Sequence, residues 1–271
     1  RHGCADRWRR YRLPHPVRLM RGFSRAWTPY DLGPGCLSAW WSADDHGTAR
    51  MTDDGSGLIS SWSDRVTGLA VTGTTTARPT WTSTALDSAK AGLTFDGTAN
   101  TLATTTLTAL PTGAEAGEIW AVLSQSKAGS VSGNFAAVRY GGTTDGTFRG
   151  LGRVNGAGNT NRARVAVDGT TAANILDDGV QDFGGAAGHV LRGQFSGTTL
   201  TGEMDGTTFS TSPASGVTTL ATGTTRLRLG ASTSGTAGNF WQGVLRHVII
   251  LRGLLPTKEE GLMRLWAAGE V

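Results

Sequence analysis

The chain has 271 residues, of which 40 are glycine, and its charged and aromatic fractions are low at 17% and 7%. A chain of this length can bury one full hydrophobic core, and all-β sandwiches of this size are often single domains. Abundant glycine and threonine are typical of many short strands joined by tight turns. Only one helical signal occurs in the sequence, which argues against an α/β fold. The longest aliphatic run, residues 248–251, is far too short to cross a bilayer, so we expect no membrane insertion.

The net charge of +4 is concentrated at the N-terminus. Residues 1–25 contain eight arginines and one acid, whereas residues 26–271 contain 17 basic and 20 acidic residues. A basic arm can hold nucleic acid, but runs of like charge are more often solvated. We therefore expect a basic leader over residues 1–26, disordered or not native, a folded domain over residues 27–271, and no nucleic-acid partner. Met20 is an alternative start, and the arginines precede no apolar stretch of the kind that a secretory signal needs.

Short apolar segments separated by turn residues recur through the folded domain. Residues 118–123 (EIWAVL) are apolar on both faces, which predicts a central strand of a sandwich. Residues 189–195 and 199–203 predict an antiparallel pair, and Asp205-Gly206 predicts a hairpin turn into 207–210. The other predicted strands are residues 37–41, 58–62, 69–71, 80–82, 135–140, 148–154, 164–167, 227–229 and 240–251.

The single helix is predicted over residues 257–267. Thr257 follows Pro256 and precedes Glu260 by three residues, the spacing of a capping box. Leu262, Leu265 and Trp266 then form one apolar face. We expect the helix to pack on the sandwich, because short isolated helices are marginal in water.

Four short motifs occur in a characteristic order. They are Pro29, Leu37, Trp40 and Asp44 in an opening strand; Gly57, Trp62 and Asp64 in a second strand; a Pro79-Thr80 turn; and residues 93–97 (LTFDG). This order, over about residues 27–267, resembles the laminin-G-like, concanavalin A-like jelly roll found in phage and phage-derived virion proteins. The resemblance implies an all-β fold: a two-sheet antiparallel jelly-roll sandwich with one short C-terminal helix.

The same resemblance implies a function, because members of that family usually bind glycans or proteins at their surface and do no chemistry. We expect a non-catalytic, extracellular module on a virion surface, of the head-spike, tail or fibre type. Its expected partners are cell-surface polysaccharide and other virion proteins, and its oligomeric state stays open. The alternatives are a secreted carbohydrate-active enzyme or its carbohydrate-binding module, and a purely structural virion component.

A candidate glycan-binding surface lies between residues 139 and 164. Arginine and asparagine donate several hydrogen bonds to sugar hydroxyls or acidic groups, and here they occur on strands and glycine-rich loops. A solvated strand face is the alternative, because exposed polar faces are ordinary in antiparallel sheets. The tryptophans sit among apolar neighbours and are expected in the core. The candidate residues are Arg139, Tyr140, Arg149, Arg153, Asn155, Arg162 and Arg164.

Catalytic residues are sparse in the sequence. A retaining glycosidase needs two carboxyl groups about 5–5.5 Å apart, which acids alternating along one strand supply. Only Glu203 and Asp205 have that spacing, and Asp205 is better explained by its hairpin turn. We therefore expect no enzymatic activity.

Metal sites are equally weakly indicated. Cys4 and Cys36 lack the CxxC spacing of zinc sites, although a single disulfide between them stays open. Calcium prefers several carboxylate and carbonyl oxygens. Asp44 and Asp45 are the candidate calcium ligands, and other acidic pairs occur at residues 53–54 and 177–178. Aspartate is also a common turn residue for local reasons, so we expect no cofactor other than this calcium alternative.

Overall fold

A computed structural model describes most of the chain from residue 26 to residue 271. The predicted basic leader, apart from its last residue, Ala26, lies outside the described residues. The described ranges are 26–74, 76–86, 90–104, 110–111, 115–126, 133–142, 148–156, 159–168, 173–183, 187–196, 199–213, 225–231 and 240–271.

Two antiparallel sheets and one C-terminal helix make up the described structure, which confirms the predicted all-β fold. Sheet A has the order β15-β14-β13-β8-β17-β6-β5, and β1 also pairs with β17. Sheet B has the order β12-β11-β10-β9-β16-β7-β4-β3-β2. The strands are β1 (Leu37–Ser42), β2 (Met51–Asp53), β3 (Ile59–Ser63), β4 (Ala70–Thr72), β5 (Thr80–Leu86), β6 (Lys90–Asp96), β7 (Leu102–Thr104), β8 (Gly117–Gln125), β9 (Gly133–Gly142), β10 (Phe148–Gly156), β11 (Asn159–Asp168), β12 (Ala173–Asp182), β13 (Gly188–Ser196), β14 (Thr199–Met204), β15 (Thr207–Pro213), β16 (Thr225–Leu229) and β17 (Gln242–Arg252), and the helix is α1 (Thr257–Gly269).

Strand β8 is central, as its two apolar faces predicted. It pairs with β13 on one side and β17 on the other, and each of its residues is buried. Two hydrophobic clusters explain this burial. One lies between the sheets and includes Trp41, Trp62 and Trp241, and the other covers the outer face of sheet A and includes Trp40 and Trp120. These five tryptophans are all buried, which confirms the core interpretation.

Four strands were not predicted from the sequence: β2, β6, β7 and β12. Strand β6 contains most of the LTFDG motif, which was recognised as a motif without a strand being assigned to it. Asp177 and Asp178 were expected near a turn, but they lie within β12, and Asp177 pairs with Arg164 of β11. The turn interpretation is therefore wrong for Asp177, which is a paired strand residue, and the register shifts between this pair and the pair of Arg162 with Asp182.

Helix α1 packs on the outer face of sheet A, but it does not begin with a capping box. Its N-cap is Pro256, and no side chain caps it. The predicted box is wrong because Thr257 is already the first helical residue. Glu260 instead forms ion pairs with Arg264 (2.6 Å) and Arg192 (2.9 Å).

The buried side of α1 also differs from the predicted apolar face. Met263 and Ala267 are buried, and Trp266 meets Trp40 edge-to-face at 5.6 Å between ring centroids. Leu265 is 75% exposed, so its assignment to the packed face is wrong. Residues four apart lie above one another on a helix, and here the pair that sets the buried stripe is 263 and 267.

A buried ionic cluster connects sheet A to the segment before α1. The Glu118 carboxylate accepts hydrogen bonds from Arg192 (3.0 and 3.1 Å), Trp120 Nε1 (2.7 Å) and the backbone N–H of Leu255 (2.8 Å). Arg192 also donates to Glu203 at 3.1 Å. Buried charges need partners of this kind, because an isolated charge in the interior is very costly.

Two aspartates of the sequence motifs organise turns. Asp64 is buried and accepts backbone hydrogen bonds from residues 66, 67 and 69. Asp96 accepts them from residues 98, 99 and 100. Carboxylates that bind the backbone a few residues onward fix local turns. These acids therefore have a structural role that accounts for their position in the motifs.

Among the described residues, no helix has the length and hydropathy needed to cross a membrane. Cys36 is disulfide-bonded, and Cys4, the other cysteine of the sequence, lies outside the described residues.

Candidate functional site

The outer face of sheet B carries a group of arginines. Paired residues on neighbouring strands share a face, and successive residues of one strand alternate between faces. Leu227 pairs with Tyr140, and both belong to the cluster between the sheets, so the residues flanking them in sequence point outward. We call the five arginines at outward positions of β9, β11 and β16 the arginine face: Arg139, Arg162, Arg164, Arg226 and Arg228.

Two glycines of β10, Gly150 and Gly152, lie in the middle of the arginine face. We call these two residues the glycine floor, because they have no side chains. Gly150 pairs with Arg139 on one side, and Gly152 pairs with Arg164 on the other. Phe148 precedes these glycines at the next outward position. Arginines therefore flank the floor from the strands on both sides, about 10 Å apart at the strand spacing of antiparallel sheets.

Arg164 is a buried cation without a complete set of partners. Its residue exposure is 7%, and its Nε has no hydrogen-bond partner. Burial, and then the positive charge of Arg139, lower the pKa of Arg164 to about 10. Buried polar groups in native proteins are normally paired. The Nε atoms of Arg226, on the same face, and of Arg149 and Arg153, between the sheets, share this property with Arg164.

Arg139 has a different environment on the same face. It is 9% exposed, and its guanidinium lies 3.7 Å from the centroid of the Phe148 ring. A guanidinium over an aromatic face gains cation–π attraction. The residues opposite it in the strand register are Arg228 on β16 and Gly150 on β10, neither of which is acidic.

In the strand register of this face, acidic residues lie opposite arginines only on the β12 side. Asp177 pairs with Arg164, and Asp182 pairs with Arg162. Their side chains lie outside the described residues. On the opposite side, Arg226 pairs with Gly141 and Arg228 with Ala103, both of which are uncharged.

The structure divides the predicted glycan-binding residues between two faces. Arg139, Arg162 and Arg164 point outward, whereas Tyr140, Arg149 and Arg153 lie between the sheets and are fully buried. The expectation of one exposed surface is therefore wrong for the second group. The reason is strand alternation, since residues 149 and 153 share the face of the buried Leu151.

Arg149 shows what the interior arginines do. It donates to the Tyr140 hydroxyl at 3.4 Å and to the Glu115 carbonyl at 2.6 Å. Burial raises the pKa of Tyr140, against the opposing effect of the Arg149 charge. These contacts stabilise the interior and leave neither side chain accessible to a polysaccharide.

Arg226 and Arg228 are not among the site residues predicted from the sequence, although the strand pattern around them indicates where they point. Leu227 and Leu229 were assigned to a strand, and alternation then places residues 226 and 228 on the other face. Their proximity to Arg139 depends on the pairing of β16 with β9, which sequence spacing does not contain. Asn155, another candidate, pairs through its backbone with Gly133, and its side chain lies outside the described residues.

The calcium candidates both face arginines. Arg65 Nε contacts the two carboxylate oxygens of Asp45 at 3.0 Å, and Arg246 forms an ion pair with Asp44 at 3.1 Å. Asp44, His247 and Glu270 bring three ligand atoms within 4.8 Å of one another, but Arg246 also contacts Glu270 at 2.6 Å. Guanidinium groups thus already balance this negative charge. Calcium binding stays an untested prediction.

Glu203 and Asp205 are each engaged by separate partners. Glu203 is buried and contacts Arg192 and Arg264. Asp205 has a positive φ of 51° and is followed by Gly206 at 82°, as a tight hairpin turn requires. Its carboxylate contacts His189 Nδ1 at 2.7 Å. The turn interpretation of Asp205 agrees with this geometry.

No protein-family model and no curated protein sequence matches the chain. Solved structures with the same fold do exist. One is domain 4 of an extracellular arabinanase from Geobacillus stearothermophilus, in complex with arabinotriose. It has a TM-score of 0.57 and 10% sequence identity, and the match covers 84% of this chain and 97% of that domain.

Two larger proteins contain the fold as a part. A Trypanosoma rangeli sialidase has a TM-score of 0.53 and 12% identity, and the match covers 87% of this chain but 33% of the sialidase. An arabinofuranosidase complexed with arabinofuranosyl-alpha-1,2-xylobiose has a TM-score of 0.53 and 15% identity, with 87% and 59% coverage. The chain therefore spans only part of these two proteins.

These structures overturn the expectation that the chain has no enzymatic activity. The fold occurs in chains named as an arabinanase, a sialidase and an arabinofuranosidase, so a sandwich of this kind gives no ground for excluding catalysis. At 10–15% identity the likeness is one of fold alone. It identifies neither a reaction nor a catalytic residue in this chain.

Proposed function

We propose that the chain is a carbohydrate-binding domain and that the arginine face of sheet B is its contact surface. The observation that carries the proposal is Arg164, a nearly buried arginine whose Nε lacks a partner and which lies beside two outward glycines of β10, Gly150 and Gly152. A ligand lying over Gly150 and Gly152 would reach arginines on both sides. The occurrence of the fold in carbohydrate-active proteins supports the same function.

The chemistry of the face suits a polyhydroxylated ligand. Each guanidinium offers five N–H donors in a fixed plane, which match pairs of oxygens on one molecule. Phe148, at the edge of the glycine floor, is partly exposed, and one face of its ring is covered by Arg139. Rows of donors on a rigid sheet hold their geometry better than donors on loops, because the strands fix the backbone positions.

The biological setting is a narrower proposal. An extracellular setting within a carbohydrate-active protein is supported by the named neighbours. Attachment to a virion surface, with host polysaccharide or another virion protein as partner, is supported only by the order of the sequence motifs. Electron microscopy of virus particles labelled with an antibody against the purified chain tests this setting. Absence of label from intact particles would contradict the virion proposal without affecting carbohydrate binding.

Calorimetry against a panel of soluble polysaccharides tests the proposed function. The panel includes neutral arabinan and arabinoxylan and acidic polygalacturonate, each incubated with the intact chain. We expect saturable binding to at least one member and weaker binding by an Arg164→Met variant. Arg50→Met is the matched control, since Arg50 is an exposed arginine just before β2, at the far end of the same sheet. Binding to no member would overturn the proposal. Reducing-end assays on the same mixtures test for cleavage.

A further inference from the structure

We infer that His189 joins the two sheets in a proton-dependent way: the protonated ring holds the end of β12 to sheet A, and loss of its proton releases that end. His189 lies near the start of β13 in sheet A, and Phe183 directly follows β12, the strand at one end of sheet B. We call His189, Asp205 and Phe183 the histidine clasp. The clasp does not depend on the proposed carbohydrate binding.

Both nitrogens of the His189 ring face an oxygen atom. Nδ1 lies 2.7 Å from Oδ2 of Asp205, and Nε2 lies 2.9 Å from the backbone carbonyl oxygen of Phe183. An ionised carboxylate and a carbonyl can only accept hydrogen bonds, whereas a neutral imidazole has one donor nitrogen and one acceptor nitrogen. The imidazolium has a donor on each nitrogen, so it is the form that satisfies both contacts.

Asp205 is placed to act as the ionised partner. Its Oδ1 accepts a hydrogen bond from the backbone N–H of Val190 at 2.8 Å, and its side chain is 45% exposed. An exposed carboxyl group is ionised near neutral pH. The proton between Asp205 and Nδ1 therefore belongs to the histidine ring.

Loss of the second proton from the ring removes one of the two hydrogen bonds. A neutral ring keeps its remaining proton where the bond is stronger, and hydrogen bonds to a carboxylate are about twice as strong as those between neutral groups. The proton therefore stays on Nδ1, facing Asp205. The lone pair of Nε2 then faces the carbonyl oxygen of Phe183, so the hydrogen bond that disappears is the one that joins the sheets.

Phe183 connects this hydrogen bond to the core. It is fully buried and belongs to the cluster between the sheets. Its ring meets the Trp241 ring at 5.8 Å and the His189 ring at 5.6 Å between centroids, both edge-to-face. The His189 side chain is 13% exposed, so its ring still has some access to solvent. A titrating group thus lies directly beside the residue that follows β12.

Charged residues also lie on the elements around the ring. Asp205 contacts the ring directly, and an opposite charge at 2.7 Å favours the imidazolium. Arg264 of α1 donates to the carbonyl of Gly206, the residue after Asp205, at 3.3 Å. Asp182 ends β12 beside Phe183, and its side chain lies outside the described residues.

The clasp stabilises the folded chain most in acid. Below about pH 6.5, the ordinary pKa of histidine, the ring is protonated in both the folded and the unfolded chain, and the full contribution to stability is present. As the pH rises, the unfolded chain loses its proton first, because only the folded chain holds the ring between two acceptors. The contribution then falls, and it disappears once the folded ring loses its proton as well.

Nitrogen-15 NMR of the histidine rings in the intact chain tests the protonation state. We expect both nitrogens of His189 to carry protons at about pH 7.5, where the histidines of the urea-unfolded chain are mostly neutral. The His189→Gln variant identifies the resonance, and the wild-type titration itself requires no variant to fold. A ring that loses its proton at the same pH as in the unfolded chain, or at a lower pH, would overturn the clasp.

A double-mutant cycle of His189→Gln and Asp205→Asn tests the ion pair. Asparagine tolerates the positive φ of this turn position, so Asp205→Asn removes the charge and keeps the backbone conformation. We expect the coupling factor between the two residues, measured on the unfolding equilibrium constant, to be about threefold larger at about pH 5.5 than at about pH 9. Equal coupling at the two pH values would indicate a neutral hydrogen bond and contradict the proposal.

Hydrogen exchange measures the release of β12. We expect the protection factors of β12 amides, relative to those of the central strand β8, to fall about threefold or more between about pH 5.5 and about pH 9. The His189→Gln variant should show the lower protection at both pH values. Relative protection of β12 that stays the same across this range would overturn the link between the protonation of His189 and the end of sheet B.

Discussion

Arg139 of β9 and Arg228 of β16 are paired residues on the outer face of sheet B, arginine directly opposite arginine. Side chains at such positions have Cβ atoms about 4.5–5.5 Å apart. The next residue along the same row, on β10, is Gly150. The row therefore contains two neighbouring arginines followed by a glycine. Like charges directly opposite each other on neighbouring strands are destabilising in general.

A double-mutant cycle on Arg139 and Arg228 measures this repulsion. We expect the coupling energy between Arg139→Met and Arg228→Met to be unfavourable by about 0.5 kcal/mol in dilute buffer. About 0.5 M NaCl should reduce it only partly, because Arg139 is buried and salt screens buried charges less than exposed ones. Urea denaturation of the four proteins gives the values. A favourable coupling energy would contradict the description, since it would mean that the two side chains stabilise each other.

The interior arginines give a second prediction. Arg149→Ala should lower the free energy of unfolding by about 3 kcal/mol or more, because it leaves a cavity and removes donors to the Tyr140 hydroxyl and the Glu115 carbonyl. Arg162→Ala, at a partly exposed position of the arginine face, should cost no more than about 1 kcal/mol. Comparable losses in the two variants would show that Arg149 does not have the interior role described.

Strand alternation explains how far the sequence could predict this site. The strand over residues 148–154 was predicted, and the position of Leu151 within it already placed residues 149 and 153 on one face. The sequence did not show which face of this strand points inward, because glycines occupy positions 150 and 152 and the two faces do not differ clearly in hydrophobicity. Pairing with the core strand β9 resolves it, because Leu151 pairs with the buried Val138.

Long-range strand pairing explains why the other contacts of the site could not be predicted from the sequence. The segment around Arg228 lies far from Arg139 in sequence, and only the sheet order brings them together. Likewise, the acids at Asp44 and Asp45 look available in the sequence, but distant arginines at positions 65 and 246 reach them in the fold. Local turns were easier to predict from the sequence, as Asp205-Gly206 shows, because the dipeptide itself determines the geometry of the turn.

The turn at Asp96 gives a prediction on pH. Burial alone would raise the pKa of Asp96, but hydrogen bonds from Thr98 and from backbone N–H groups lower it to about 2, from an ordinary value of 3.8. A carboxyl group with a depressed pKa in the folded state stabilises the protein above its unfolded pKa, and this contribution disappears as the pH falls through the folded pKa.

We therefore expect Asp96→Ala to melt at a lower temperature than the wild type at about pH 5–7. The difference should narrow as the pH falls from about 4 to about 2, because the wild-type carboxylate then becomes protonated. Differential scanning fluorimetry across this range measures it. A constant difference down to about pH 2 would mean that the backbone hydrogen bonds do not depend on the charge of Asp96.

The buried Glu118 cluster gives the last prediction. Glu118→Gln keeps the side-chain shape but removes the charge that faces Arg192, and it replaces one of the two acceptor oxygens with an NH2 donor, which then faces either Trp120 Nε1 or the Leu255 N–H. Breaking one member of a buried ionic cluster costs about 3–5 kcal/mol, because the remaining charge loses its compensation. Glu203 and Glu260 still contact Arg192, so we expect a loss near the lower end of that range.

Glu259→Gln on the partly exposed surface of α1 is the matched control, with an expected change below about 0.5 kcal/mol. Urea denaturation measures both variants, and hydrogen exchange of α1 amides reports whether the helix has lost its attachment to sheet A. Because the backbone N–H of Leu255 donates to Glu118, we expect faster exchange in α1 of the Glu118 variant than in the control. Equal exchange in the two variants, together with equal stability, would show that hydrophobic contacts of Met263 and Ala267 hold the helix without the ionic cluster.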